Sequence, residues 1–272
     1  RHIRPLSHTG RRWCPALRMS HTLAQTATDP RLRVVHLVET LELGGMERAI
    51  ATLCFAIDRS RFDVSVVAMK RLGPVATELL AAGIPVECAN VPSSPPDYLA
   101  WRHVVPVLRR RRPDVVHTHN SAALIYGAPS ARWCGVSTII HTDHGRAFPD
   151  RKHVMLAERI ASALVWRVVA VSAPLARDLG EHVGIASARL RVVPNGVADL
   201  PPPNQEVVHG LRRDWLRGTD GPLVGLGARL VWEKGLDDLL HAWRPVSAEV
   251  PEARLVIAGD GPERAALEEL TT

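Results

Sequence analysis

The chain has 272 residues, 46% of them hydrophobic and 23% charged, enough to bury the core of one large domain or two ordinary ones. Its net charge of +6 shrinks once it is divided along the chain: five arginines and one aspartate put +4 in residues 1–30, which leaves +2 for the rest, and with 4% aromatic residues there is no interleaved basic and aromatic face of the kind nucleic-acid binding needs. Four cysteines (Cys14, Cys54, Cys88, Cys134) stand far apart without C-x-x-C spacing, which argues against a zinc ribbon or a disulfide framework and fits a reducing compartment.

Residues 1–30 read as a basic leader, expected to be disordered, without the apolar core of a signal peptide; residue 1 is arginine, and Met19 is a candidate start. From Arg33 onward, valine-rich runs alternate with helical patterns, the signature of a parallel sheet covered on both faces. Strands are predicted at Val34 to Val38, Phe62 to Ala68, Pro85 to Ala89, Asp114 to Thr118, Thr138 to Thr142, Val168 to Val171 and Leu190 to Val193. The helices between them are predicted near Met46 to Ala56, Val75 to Ala82, Leu99 to Arg111, Ala122 to Trp133, Val154 to Val165 and Pro174 to His182. Arg109 to Arg112 close the third helix, where cations complement the carbonyl end; attraction to an anionic membrane surface is the second reading. The apolar window Ile160 to Ala176 is broken by Ser162, Arg167 and Ser172, so it reads as a helix end running into a strand rather than a membrane span.

These elements predict an α/β fold with one complete doubly wound parallel-sheet domain over residues 31–199. Pro201 to Pro203 mark a break, and residues 200–220 read as a linker with some helix. A second alternation follows over 221–272: strand Leu223 to Gly227, helix Leu236 to Ala248, strand Arg254 to Ala258, helix Pro262 to Leu270. Because an open parallel domain needs on the order of 100 residues, this segment is expected to be the truncated start of a second Rossmann-like domain.

The candidate chemistry sits where strands end. Gly227-Ala-Arg229-Leu-Val-Trp-Glu-Lys234-Gly235 runs into a predicted helix, and a helix N-terminus with two cations suits a diphosphate. Lys234 is one of three lysines against 31 arginines, so a compact ammonium stands here in a chain that favours guanidinium. Leu43-Gly44-Gly45-Met46-Glu47-Arg48 follows the first strand and opens the first helix, where backbone N–H groups can face a phosphate. Gly225-x-Gly227 and Gly259-x-Gly261 only half match the dinucleotide pattern, because the third glycine is missing.

Histidines gather at two further strand ends, His117-Thr-His119-Asn120 and His141-Thr-Asp143-His144-Gly145-Arg146, both able to reach one rim of the sheet. Alternation puts His117 and His119 on one face and His141 and Asp143 on one face. Three readings stay open: contact with a polar substrate or phosphate, satisfied core histidines, or a metal site, for which no H-E-x-x-H helix or carboxylate pattern speaks. Gly145 favours the first for His144, since it lets the backbone turn sharply or a ligand come close. Val171-Ser172 and Val193-Pro-Asn195-Gly196 read as strand ends followed by a cap and a turn.

In order, LGGMER, HTHN, HTDHGR, VVAVS, VVPNGV, GARLVWEKG and LVIAGDGPER resemble the family-4 retaining glycosyltransferases over Arg33 to Leu270. The resemblance implies the two-domain GT-B architecture and metal-independent transfer of a sugar, with retention, from a nucleotide-diphosphate donor to an acceptor hydroxyl. It puts Arg229, Lys234, Gly44 and Gly45 on the donor diphosphate and His144 beside the reacting sugar, as the catalytic candidate. His119, Asn120, Gly145, Gly227 and Asn195 are the further candidate substrate contacts. No metal and no cofactor is expected. The chain departs from the family pattern in two ways: it ends before the usual pair of glutamates eight residues apart, and Asp199 stands one place late after Asn195-Gly-Val-Ala198. Weak or absent activity of these residues alone is therefore expected.

Two alternatives accompany that reading, a nucleotide-sugar epimerase of the same architecture and a non-catalytic module that binds a nucleotide or partner. The expected partners are a nucleotide-diphosphate sugar and an acceptor that is a lipid, a polysaccharide or a small glycoside. Peripheral membrane contact would run through Trp101, Arg102 and Arg109 to Arg112, and the expected location is the cytoplasm, including the inner face of the membrane.

Overall fold

The structure, a computed structural model, describes residues 31–92, 99–146, 148–197 and 201–271. The basic leader and the Ala198-Asp199 turn lie outside them. Seven strands form one wholly parallel sheet: β1 (Leu32–Thr40), β2 (Phe62–Arg71), β3 (Val86–Cys88), β4 (Val115–His119), β5 (Thr138–Asp143), β6 (Arg167–Ala170) and β7 (Leu190–Val192). Their order is β3-β2-β1-β4-β5-β6-β7, so the winding reverses between β1 and β4. Open α/β sheets bind ligands at the carboxyl ends of the strands flanking that reversal.

The helices between these strands are α1 (Gly45–Ala56), α2 (Pro74–Ala81), α3 (Trp101–Arg111), α4 (Asn120–Trp133), α5 (Lys152–Ser162) and α6 (Ala173–Asp178). They cover both faces and create two apolar clusters. Leu37, Val67, Val104, Leu108, Leu124 and Ile139 belong to one, and Val38, Leu41, Ile50, Val66 and Leu79 to the other. Helix α4 lies so close to β1 that a Cβ on Gly127 would stand 2.2 Å from Cδ2 of Leu37. A larger residue there would have to displace the buried Leu37 side chain. Ser172 caps α6 as expected, its Oγ accepting from the Leu175 N–H at 3.3 Å. The helix expected to run on to His182 widens instead into a π-helical turn over Leu179–Val183, ended by Gly184 at φ 80°.

The segment read as a linker contains α7 (Gln205–Leu216), started by Asn204, whose Oδ1 accepts from the Glu206 N–H at 2.9 Å. A second, smaller parallel sheet follows, made of β8 (Leu223–Gly227) and β9 (Arg254–Ala258) with α8 (Leu236–Glu249) and α9 (Arg264–Glu269). Its apolar centre is Leu230, Leu236 and Leu267. This is the GT-B arrangement of one complete domain and one incomplete Rossmann-like domain.

Candidate active site between the two sheets

The carboxyl ends of β1, β4 and β5 face the loop after β8 across a cleft of about 1210 Å³. Of the ten candidate site residues, nine line it: Gly44, Gly45, Asn120, His144, Gly145, Asn195, Gly227, Arg229 and Lys234. His119 does not. It is buried, with 1% of its surface exposed, and instead of the expected substrate contact it makes a hydrogen bond to His144.

On the first-domain wall, Gly44 is the N-cap of α1 and no side chain caps that helix. Apart from the Glu47 N–H, which its own carboxyl engages, the first N–H groups of the helix have no internal partner and suit an anion. A Cβ on Gly45 would meet nothing within 4 Å, so the space over this turn is open to a ligand. Glu47 stands at the same turn. Burial pushes its carboxyl above the usual range, its own backbone N–H pulls it down, and the Arg229 charge across the cleft pulls the same way.

The opposite wall is the Gly227 to Gly235 loop. Its backbone is stitched to the loop after β9, with Ala228 N–H to Ala258 O at 3.1 Å and Leu230 N–H to Asp260 O at 2.9 Å. Any Cβ on Gly259 would lie 1.8 Å from Ala228 O, and one on Gly261 would lie 2.3 Å from Leu230 O. These glycines, which half match a dinucleotide pattern, are explained by two backbones in contact. Leu230 plugs the small core while its neighbour Arg229 is exposed toward the cleft. Gly235, at φ 58°, turns the chain from Lys234 into α8. Among the described residues neither Arg229 nor Lys234 is in a salt bridge, so both cations are available to a ligand.

His144 is held by two hydrogen bonds. Its backbone N–H donates to Asn120 Oδ1 at 2.9 Å, and its Nε2 lies 3.0 Å from His119 Nδ1. Asn120 sits at φ 62°, a left-handed turn that asparagine tolerates, and so brings its amide round to the next strand end. Beyond His144, Asp143 accepts from the Gly145 N–H at 2.9 Å and pairs with Arg146 at 2.8 Å. Arg146 also pairs with Asp150 and Glu158 and stacks over Phe148 at 4.7 Å. Asp143 and Glu158 are 1% and 2% exposed, so this is a buried brace for the loop that carries His144. Burial pushes the Glu158 carboxyl up to about 7 in spite of Arg146.

The two histidine pairs lie on opposite faces of the sheet. Thr118 Oγ1 bonds His141 Nδ1 at 3.0 Å on one face, while His117 Nε2 bonds Thr142 Oγ1 at 2.7 Å on the other. A parallel register that puts Thr142 opposite His119 and His141 opposite Thr118 forces this separation. Only the His117 and His119 face leads to His144. It also holds His36 of β1, which sequence reading passed over; a histidine inside the apolar run Val34 to Val38 was the available signal. His36, His117 and His119 each have a ring nitrogen within 4.8 Å of the others, and among the described residues they form the cluster with metal-ligating composition. Burial holds His36 near a pKa of about 4 and His117 and His119 well below the usual imidazole range, so all three are neutral near neutral pH. Burial lowers His144 as well, with Asp143 opposing.

Fold and cleft together define a GT-B protein whose cleft, lined by Arg229 and Lys234, lies between two Rossmann-like sheets. Residues 43–199 match Glycosyltransferase Family 4 and residues 210–272 match Glycosyl transferases group 1. The first match alone spans more than half of the chain, which belongs to glycosyltransferase family 4. It is 27% identical over 255 residues to the UDP-Gal:alpha-D-GlcNAc-diphosphoundecaprenol alpha-1,3-galactosyltransferase of Escherichia coli, covering 86% of this chain and 64% of that protein. The fold is shared with HepE of Anabaena, solved with UDP-glucose, at a TM-score of 0.69 and 20% identity, covering 89% of this chain and 65% of HepE. It is also shared with the UDP-N-acetylglucosamine 2-epimerase of Rickettsia bellii, at a TM-score of 0.54 and 17% identity over 88% of this chain and 64% of the epimerase. The chain thus spans just under two thirds of the length of these relatives.

Proposed function

We propose that the protein takes part in transfer of a sugar from a nucleotide-diphosphate sugar to an acceptor hydroxyl, with retention at the anomeric carbon and without a metal ion. The observation that carries this reading is the convergence of Arg229, Lys234 and the uncapped N-terminus of α1 on one cleft that His144 also lines. Negative charge grows on the departing diphosphate as the glycosidic bond breaks, and fixed cations and oriented N–H groups stabilise it more in the transition state than in the bound donor. Two side-chain cations then do what a divalent ion does in metal-dependent transferases. His144 lies beside the transferred sugar as a neutral, oriented imidazole, and Asn120, Gly145, Gly227 and Asn195 complete the walls.

The E. coli relative uses UDP-galactose and a lipid-linked acceptor, and HepE was solved with UDP-glucose. Those facts support a uridine diphosphate donor and make a lipid-linked sugar the acceptor to test first. A membrane-facing reading draws on Trp133, 64% exposed and packed on Trp101 at 5.6 Å, near Arg102. Of the arginine run, Arg110 and Arg111 are tied to Glu87, which leaves a smaller basic patch than the sequence suggests. No helix among the described residues is long and apolar enough to cross a membrane. A location in the cytoplasm, at the inner membrane face, goes with this proposal, and unchanged liposome co-sedimentation after charge reversal at Arg102 and Arg112 would remove the membrane part.

Calorimetric titration of UDP and GDP into the protein and into an Arg229→Ala/Lys234→Ala double variant tests the donor site. Uridine nucleotide binding that disappears in a folded double variant is the expected result; binding that survives it would overturn the assignment. Incubation with UDP-N-acetylglucosamine without acceptor separates the epimerase chemistry, since only an epimerase yields a sugar inverted at C2 rather than the hydrolysed donor.

A further inference from the structure

His36, His119 and His144 come from β1, β4 and the loop after β5, yet they form one unbroken line. His36 Nδ1 lies 3.0 Å from His119 Nε2, and His119 Nδ1 lies 3.0 Å from His144 Nε2. Both separations are hydrogen-bond lengths. A neutral imidazole carries one N–H and one lone pair, so each ring dictates which nitrogen of the next ring holds its proton. Two arrangements satisfy both bonds: every ring protonated on Nδ1, or every ring protonated on Nε2.

The ends of the line decide between them. His36 Nε2 and His144 Nδ1 are buried without a hydrogen-bond partner among the described residues. Protonation on Nε2 throughout would strand an N–H on His36, which is 2% exposed beneath the sheet. An orphaned buried donor is costlier and rarer than an under-used acceptor. Protonation on Nδ1 throughout moves that unpaired N–H to His144 Nδ1, equally buried in the protein alone but on the one ring of the line that borders the cleft, where a bound ligand can reach it.

We propose that His36 and His119 are positioning residues whose hydrogen-bonded line locks His144 in its Nδ1–H tautomer and fixes its ring at the wall of the donor cleft. The line of hydrogen bonds stands on the geometry alone, while the choice of tautomer and its consequence for sugar transfer rest on the donor cleft proposed above. Burial keeps His36 and His119 unprotonated near neutral pH, so no extra proton enters the line. His117 braces it from the side, its ring 4.2 Å from that of His119 and its Nε2 engaged by Thr142. Asn120, next to His119, holds the backbone of His144, so two consecutive residues at the end of β4 set both ring and main chain. A metal ion on His36, His117 and His119 is the rival arrangement. Both nitrogens of His119 already face other rings, and a metal would have to break one of those bonds.

The test is long-range proton–nitrogen NMR of the full chain with nitrogen-15 histidine, His144 being assigned from its missing signals in His144→Gln. The wild type is expected to show His36, His119 and His144 protonated on Nδ1, with nitrogen–nitrogen coupling across both bonds. His36→Phe should lose the first coupling and release His144 into a mixture of tautomers. His36→Asn, which restores an N–H near the Nδ1 position, should return it to one. Activity then follows: kcat falls in His36→Phe and recovers in His36→Asn, with KM for the donor held. An Nε2–H or mixed His144 in the wild type overturns the proposal. So does a His144 tautomer indifferent to folded His36→Phe, or loss of the N–H signals at one equivalent of zinc. UDP titration of the same samples judges the donor site separately, so failure of the histidine line and failure of the transferase reading are distinguishable.

Discussion

The two sheets are built from the same alternation of valine-rich strand and amphipathic helix, but they are buried very differently. Five consecutive residues of β1, Val34 to Val38, are buried, whereas four of the five residues of β8 are exposed, Val224 at 44% and Leu226 at 36%. Strand β1 has a partner on each side and helices on both faces; β8 and β9 have only each other among the described strands. Beside them Trp243, Leu240, Leu255 and Ile257 line an open cavity of about 700 Å³. A strand's pattern says that it can be buried, and its neighbours decide whether it is. The first domain therefore supplies the rigid wall of the cleft, while the second supplies exposed cations on a loop fastened by backbone contacts.

That contrast is sharpest in acid. His36 and His141 are held near a pKa of about 4, and His117 and His119 lie well below the ordinary imidazole value of 6.5, all by burial in the first domain. Unfolding returns each to its ordinary value, so the unfolded chain binds more protons below 6.5. Their contribution to stability is present above that value and is lost as pH falls toward 4, each proton being worth about 1.4 kcal/mol per pH unit. Glu158 has the opposite sign: raised from 4.5 to about 7, it contributes below 4.5 and loses that contribution as pH rises through 7. One carboxyl does not offset four imidazoles. Denaturant titrations across this range should show stability falling steeply on acidification, and a flat profile would remove the claim that these rings are buried and neutral.

Core truncation gives the next largest effect. Leu37→Ala, at a side chain with 0% exposure, should cost about 3 kcal/mol, and Leu226→Ala, at the exposed counterpart in β8, below about 1 kcal/mol, both read from denaturation midpoints. Equal costs would mean that the second sheet is covered as well as the first. Arg229→Ala and Lys234→Ala reverse the pattern, each expected to weaken nucleotide-diphosphate binding roughly ten- to a hundredfold, the value of a charge-assisted contact, with the melting temperature unchanged. A matching loss of stability would point to a structural cation instead. The smallest change expected is from Glu47→Gln, which removes a carboxylate facing Arg229 in the cleft and should tighten binding a few-fold, by about 1 kcal/mol or less. Weaker binding would mean that Glu47 orders Arg229 rather than competing for it.

Strands β8 and β9 occupy the residues their sequence pattern predicts, and the seven strands of the first sheet differ from expectation by a few residues at their ends. Apolar periodicity and glycine turns are local signals, and they suffice to place strand ends, which is where Gly44, His144, Arg229 and Lys234 stand. The histidines were only partly legible. Alternation correctly put His117 with His119, but whether that face meets His141 depends on the register between β4 and β5, which no single strand encodes. His119 carried the type and spacing of a ligand contact and turned out to be buried between His36 and His144.

By itself, then, the sequence determined the alternation of elements, the glycines that let loops approach, and the cations at the end of β8, because each is set by neighbours a few residues away. Only the tertiary structure decided that Arg229 and Gly45 face one cleft and that His36 reaches His144 through His119. Those relations join residues 100 to 200 positions apart and follow from which strands pair and in what register, a matter of collective burial rather than of any local pattern.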